Sequence, residues 1–433
     1  MMEKSLYSTL AIINAIISIN RYLSITKRKV SITDPILCYY FIWTIVFTIR
    51  VFYKPDTNYH LENYLYEFLL NWFIFGAGIW VAYKFHANNS TNKYFIIDTK
   101  IENNIIFGYL ISILLFVNII SILVFISIFK RGYPIEALII DRSYHNYMAT
   151  EKNLVILTLL GAINFIFFIY YDYLYKLKTV KYIILMFFSI VPFILNSSIT
   201  AGRTAIVIPL ITSVIYYVQR RNICKLTPKV TILTITIILL TLIIFMIYDT
   251  GRRSGHIHLP NKENITSLLD YYIAPLDSYE FHKINIYDVL RGYPGYYTFN
   301  FIVRNIDKIV SIKYGPAEDF FSLMNTTIKY DNMLYVFVGT MFLEFDYDYG
   351  IIYSKLILFI ISYIFSILYY DCNHNKFLVH VVCGLFIFQI LWSNQIYYLT
   401  SNSTFYYFVI IAIGIEIFQK YNKNRKSMAK NRI

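Results

Sequence analysis

Apolar residues run along this chain in blocks of about 17–25, each long enough to cross a bilayer as a helix. Read from the hydropathy pattern alone, eleven spans are predicted, at roughly 5–20, 35–53, 63–83, 104–129, 154–174, 180–197, 203–219, 230–248, 350–370, 377–393 and 404–420. The first is short and contains Asn14. Between 249 and 349 the pattern changes to a hydrophilic, aromatic-rich segment. The stretch "YYIAPLDSYEFHKINIYDVLRGYPGYYTFNF" has no Pro/Ser-rich linker character and reads as folded. Near its end "MLYVFVGTMFLEF" (333–345) is apolar but too short to span, which suits a re-entrant or interfacial helix. The expected division is therefore spans one to eight over 1–248, an external loop over 249–349, spans nine to eleven over 350–420 and a basic tail over 421–433. Neither internal repeat nor inverted half-chain symmetry is visible.

Composition agrees with this pattern. The 433 residues are 57% hydrophobic and 15% charged, with a mean hydropathy of +0.51, whereas soluble domains carry about 25% charged residues. The fold class expected is an all-α polytopic membrane protein, and the short alternating segments of a β-barrel are absent. The net charge of +13 sits mostly in short loops and the tail, as membrane orientation requires, and nucleic acid is not expected as a partner. Four basic stretches, "RYLSITKRKV" (21–30), "YKLKTVK" (175–181), "RRNICKLTPK" (220–229) and the tail, fall on one side when eleven spans alternate. That side is read as cytoplasmic, with the N-terminus outside and the C-terminus inside. The 249–349 segment holds 9 basic and 13 acidic residues, and this contrast places it outside. The four cysteines form no CxxC pair and no metal-ligand spacing, so neither a disulfide framework nor a zinc site is expected. The first apolar run has no small-residue cleavage site after it and is read as its own insertion signal.

The candidate chemistry lies on the external face. Arg203, in "NSSITAGRTAIVIP", is the one formally charged residue from Tyr182 to Gln219. It is expected at the first turn of the seventh span. A cation there opposes the helix dipole, but an Arg fork beside free N–H groups makes a phosphate site. The alternative is an arginine that snorkels to lipid headgroups. Arg252 and Arg253, in "TGRRSG", follow the eighth span on the side where positive charge is disfavoured, so they bind an anion or anchor headgroups. Arg291 sits in a Gly/Pro turn among tyrosines, where it suits sugar and phosphate or is an ordinary surface residue. Arg131, in "FKRGYPI", has the same two readings, with helix-end anchoring as its alternative. "EFDYDYG" clusters Glu344, Asp346 and Asp348; Asp348 is the candidate general base, against an acidic helix cap. His256 and His258 read as loop residues. Walker A, Rossmann and HExxH patterns are absent, so no cofactor and no metal are expected.

Taken together these stretches resemble the O-antigen polymerase family, membrane enzymes that join lipid-linked oligosaccharide repeat units. The resemblance rests on "ITAGRTAIVIPLI", "TGRRSG", "YYIAPLDSYE" and "DYGIIYSKLI", in that order, and on the layout of spans around one late external loop. The element "NMLYVFVGT" only approximates the family's Asn-aromatic-Thr pattern, and the Arg252/Arg253 pair leaves open which one corresponds. The resemblance implies a GT-C-like glycosyltransferase architecture in the bacterial inner membrane, with the loop periplasmic. It implies transfer of a growing glycan from polyprenyl diphosphate to the non-reducing end of a new lipid-linked repeat unit. Its partners would be the polyprenyl-diphosphate-linked donor and acceptor, membrane lipid and a chain-length regulator protein. Arg203, Arg252 and Arg253 would bind diphosphate, with Arg291 and Arg131 on phosphate or sugar and Asp348 as base or structural carboxylate. The alternatives are an O-antigen ligase, which shares the arginine hairpin and long loop, and a lipid-linked oligosaccharide flippase, which should show repeated halves and charged spans.

Overall fold

The computed structural model describes residues 2–28, 31–53, 64–86, 104–129, 152–200, 204–225, 275–276, 278–284, 287–310, 314–315, 340–370, 376–393 and 402–430. Among them the regular structure is helical, with no strand. In chain order we number α1 (Met2–Arg28), α2 (Pro35–Phe52), α3 (Leu65–His86), α4 (Asn104–Phe129), α5 (Lys152–Tyr175), α6 (Thr179–Thr200), α7 (Thr204–Arg220), α8 (Asn300–Val310), α9 (Met341–Tyr370), α10 (Phe377–Leu391) and α11 (Ser403–Lys430). Seven of the described helices, α1 to α6 and α9, are long and apolar enough to cross a membrane, and Ala205–Arg220 and Phe377–Leu391 are shorter apolar helices. This is the architecture of a polytopic helical membrane protein. The expected span at 230–248 lies outside the described residues, as does the 333–339 part of the expected re-entrant helix.

Two compact units divide the chain. The first takes in Met1–Tyr94, Ile265–Cys372 and Leu385–Ser403. In it α1 packs on α2, and α3 packs on both α2 and α9. The α3–α9 contact is the tightest. A Cβ at Gly78 would stand 2.0 Å from Ser362 Oγ and 2.8 Å from the Phe359 carbonyl oxygen, so only glycine lets the backbones approach this closely. On α9 the facing stripe is Ser354, Leu358, Ser362, Ser366 and Tyr370, all buried and spaced by four, as helix geometry demands of one face. The two helices run parallel. Asn71 near the start of α3 meets Asp346 near the start of α9, while Tyr83 near its end meets Tyr370.

At that far end Arg21 and Asp34 form a buried bidentate pair, Nε to Oδ1 at 2.8 Å and Nη2 to Oδ2 at 2.5 Å. Tyr370 donates to the same carboxylate at 3.0 Å, and the guanidinium lies 3.9 Å from the Tyr83 ring centroid. The sequence reading put Arg21, Lys27 and Arg28 in a loop after a short first span. Instead α1 continues through them to Arg28, because Asp34 removes the cost of keeping Arg21 inside the bundle.

The second unit takes in Phe95–Asn264, Asn373–Gly384 and Thr404–Ile433. Here α4, α5 and α6 pack on one another, and α7 packs on α5 and α6. Buried amides join them: Asn164 donates to Asn118 at 2.8 Å and Asn118 donates to the Phe188 carbonyl at 3.0 Å. Asp172 binds both Nη1 and Nη2 of Arg221, at 3.0 and 2.9 Å, and caps the Leu177 N–H. The basic loops 175–181 and 220–225 therefore meet at one end of this unit. A Cβ at Gly384 would lie 2.0 Å from the Tyr216 ring, whose hydroxyl donates to the Val381 carbonyl at 2.8 Å. Apolar side chains face outward, among them Ile105, Tyr109, Phe116 and Leu123 on α4, where lipid and not water is the solvent that suits them.

Candidate functional site: a buried charge cluster at the start of α9

The α9 sequence begins "MFLEFDYDYG". It is helical, so acids two residues apart point to different faces, while Glu344 and Asp348, four apart, share one. Asp346 turns toward α3 and Asp348 toward the loop 291–299. The helix is then interrupted at Gly350, φ 70° and ψ 172°, a conformation essentially reserved for glycine. Residues 341–343 and 345–348 before it are buried, whereas Ile351, Ile352, Tyr353 and Leu356 just after it are exposed. Gly350 thus separates an inward-packed cap from a lipid-facing span.

Asp346 is fully buried and gathers donors from three elements. Its Oδ1 accepts from Ser354 Oγ at 2.6 Å. Its Oδ2 accepts from Tyr279 Oη at 2.5 Å and Asn71 Nδ2 at 3.2 Å. Lys283 Nζ lies 3.1 Å from Oδ2 and 2.9 Å from Glu67 Oε2, and Lys355 Nζ lies 3.6 Å from Oδ1. Two carboxylates and two ammonium groups therefore balance at the junction of α3, α9 and the helical stretch 278–284. Tyr279 and Lys283 reach the site together because they are four residues apart on one helical face. Rings of Phe68 and Phe342, 5.7 Å apart, wall it from one side. Burial opposes the Lys283 charge, but Asp346 and Glu67 outweigh this and hold its pKa above the ordinary lysine value. Burial, reinforced by Asp346, pushes the Tyr279 phenol well above its usual range.

Lys355 is held more loosely than Lys283. Its ammonium is buried, with Asp346 Oδ1 at 3.6 Å, an ion-pair distance.

Of the residues given a role in the sequence analysis, Arg203, Arg252, Arg253, Arg291, Arg131 and Asp348, two are among those described. Asp348 is buried and accepts from Tyr297 N at 2.9 Å, Thr298 N at 2.7 Å and Thr298 Oγ1 at 2.7 Å. Both oxygens are engaged, and Asp348 anchors this loop on α9. Arg291 is exposed, pairs with Asp288 at 3.1 Å and lies 5.7 Å from the Tyr287 ring. The same ring holds Lys283 Nζ at 4.2 Å, so Arg291 borders the charge cluster through Tyr287. The loop that Asp348 holds continues the aromatic surface. Tyr287 stacks on Tyr347, which contacts Tyr297, and Tyr296 and Tyr293 follow. Arg203, Arg252, Arg253 and Arg131 lie outside the described residues.

Sequence reasoning missed Glu67, Asn71, Lys283 and Lys355. Lys355 carried a signal, being the only charged residue from 350 to 370, and an ionisable residue inside a span marks function or a specific partner. Glu67, Asn71 and Lys283 carried none, because their roles come from partners distant in sequence. No family model matches this chain, and neither the curated proteins nor the solved structures contain a significant match to it.

Proposed function

We propose that this protein is a lipid-linked oligosaccharide polymerase of the bacterial inner membrane, a glycosyltransferase that acts at the outer surface of its bilayer. The motif order from "ITAGRTAIVIPLI" to "DYGIIYSKLI" supports the reading. The structural observation that carries it is the tyrosine-rich stretch 287–298, bordered by the exposed Arg291 and packed against the start of α9 beside the buried Lys283–Asp346–Lys355 cluster. In this reading the chain has eleven spans in a GT-C-like arrangement, with 249–349 periplasmic and the C-terminus cytoplasmic.

The reaction breaks the bond between the anomeric carbon of the donor glycan and its diphosphate oxygen. It forms a bond from that carbon to a hydroxyl oxygen at the non-reducing end of the acceptor repeat unit. The hydroxyl proton passes to a base, and polyprenyl diphosphate departs with the electron pair. Charge grows on the diphosphate as the bond breaks, so fixed cations in a low-dielectric site lower the barrier. Arg203, Arg252 and Arg253 are assigned to the diphosphate, with Arg131 and Arg291 on phosphate or sugar. Lys355 adds a second buried ammonium beside Asp346. Asp348 positions the tyrosine loop. A chain-length regulator is the proposed protein partner.

The test is a gel of lipopolysaccharide from a deletion strain, complemented with wild type or Arg203→Ala at matched expression. Polymerase loss leaves single repeat units on lipopolysaccharide. Ligase loss leaves long chains on the carrier, and flippase loss leaves no exported unit. A normal ladder on deletion overturns the proposal, and wild-type chain lengths from Arg203→Ala remove the role given to that arginine. Losing one leaving-group donor should cost about 10²–10³ in rate.

A further inference from the structure

The sequence of α8, "NFIVRNIDKIV", is sharply two-sided. Ile302, Ile306, Ile309 and Val310 fall on one arc at spacings of four, three and one, with Val303 at one edge and Asn305 at the other, and positions 304 and 307 lie outside it. In a soluble protein the apolar arc would be buried. Here it is the exposed side: Ile302 is 41%, Ile306 52%, Ile309 82% and Val310 53% exposed. A helix of 11 residues is too short to cross a bilayer.

The place where α8 begins shows what covers this face. Two residues before it, Thr298 is held on Asp348 through its backbone N–H and its hydroxyl, each at 2.7 Å. Gly292 N donates to the Tyr347 carbonyl at 3.2 Å. Both anchors grip the last turn of α9 before Gly350. The exposed apolar belt of α9 starts directly beyond, at Ile351, Ile352 and Tyr353, and continues through Leu356, Ile360 and Ile364. The helix α8 therefore starts two residues from an anchor on the turn of α9 that immediately precedes its lipid-facing surface.

We propose that α8 is an in-plane membrane helix, with Ile302, Ile306, Ile309 and Val310 immersed in the acyl boundary of the bilayer that α9 crosses. The occupant of the apolar face is lipid. The amphipathic pattern and short length are those of an interfacial segment. Its effect is to fix the height of the tyrosine loop 293–298 at the bilayer surface, because that loop is held between Asp348 and α8. The helix is distinct from the 333–345 segment that the hydropathy pattern marked. The proposal depends on the membrane architecture and not on the reaction proposed above.

The test is nitroxide scanning of the full chain in lipid nanodiscs, with cysteine placed singly at positions 302, 304, 306, 307 and 309. The signal of the unmodified chain, which carries four native cysteines, is subtracted. Collision with dissolved oxygen reports lipid, and collision with a water-soluble nickel chelate reports water. Labels at 302, 306 and 309 should favour oxygen over nickel, those at 304 and 307 should show the reverse, and the ratio should follow a helical period. Nickel access at the three isoleucine sites equal to that at 304 would overturn the proposal. Low access to both reagents at those sites would overturn it equally, by showing that protein covers the face.

Discussion

Asp346→Asn isolates the charge at the centre of the buried cluster with almost no change in shape. Asp346 faces donors on every side: Ser354 Oγ at 2.6 Å, Tyr279 Oη at 2.5 Å, Asn71 Nδ2 at 3.2 Å and the ammonium groups of Lys283 and Lys355 at 3.1 and 3.6 Å. An asparagine must turn its own NH₂ toward one of those donor sets. It also leaves Lys355 without a counter-charge and Lys283 with Glu67 alone. At an effective dielectric constant of about 20, a pair at 3.1 Å attracts by about 5 kcal/mol before desolvation. Removing one partner of a buried pair costs about 3–5 kcal/mol net, and that is the expected loss. Lys283→Met should cost less, about 1.5–3 kcal/mol, the worth of a hydrogen bond to a charged group. It leaves Asp346 with Lys355 and three hydrogen-bond donors.

The assay is equilibrium unfolding in mixed micelles, for wild type, both single variants and the double variant. Groups in direct contact couple by about 0.5–3 kcal/mol, and the double variant should be more stable than the sum of the singles predicts by an amount in that range. Additivity within about 0.3 kcal/mol would refute the pairing of Asp346 with Lys283 and with it this account of the cluster.

Gly78→Ala places a Cβ 2.0 Å from Ser362 Oγ and 2.8 Å from the Phe359 carbonyl; overpacking of this kind costs about 1–3 kcal/mol. Adding Ser362→Ala should restore part of it, since the carbonyl still blocks, and full restoration would show that the backbones are further apart. Gly350→Ala meets no atom within 4 Å, so its expected loss of about 1–3 kcal/mol is purely conformational, and unchanged unfolding would argue against the break in α9. Arg21→Lys keeps the charge but forfeits the two-point contact with Asp34 and the stacking on Tyr83. Its expected cost is about 1.5–3 kcal/mol, read in the same unfolding assay, and a neutral result would mean the bidentate geometry is not formed.

The hydropathy pattern was a good guide to the membrane helices, because each apolar run is a local property of the chain and its length is set by the bilayer. It was a poor guide to their ends. Helix α1 passes through Arg21, Lys27 and Arg28 because a carboxylate beyond the helix, Asp34, meets Arg21 inside the bundle. The "DYG" stretch was visible as a motif, but the reason for its glycine was not. That reason is a backbone break between a buried cap and a lipid-facing span. Nor does spacing distinguish Asp346 from Asp348: two acids two residues apart diverge on a helix, and only the position of α3 decides which one meets the lysines. Glu67, Asn71 and Lys283 come together by packing of elements far apart in sequence, which no local pattern encodes.

The parallel pairing of α3 with α9 ties the two charge clusters of the first unit to the dimensions of the membrane. Asp346 and Tyr370 are 24 residues apart on α9, but the break at Gly350 leaves a continuous helical run only from Ile351 to Tyr370. On α3 the same two clusters are met by Asn71 and Tyr83, 12 residues or about 18 Å apart, against a hydrocarbon thickness of about 30 Å. The clusters are therefore closer together than the hydrocarbon is thick, and each pairs its charges internally, Asp346 with Lys283 and Lys355 and Asp34 with Arg21, as ionisable groups at membrane depth must. The interface between them is centred on Gly78 and Ser362, whose hydroxyl bonds within its own helix to the Phe359 carbonyl at 3.0 Å. Polar groups thus mark the two ends of the α3–α9 pair and close backbone packing holds its middle.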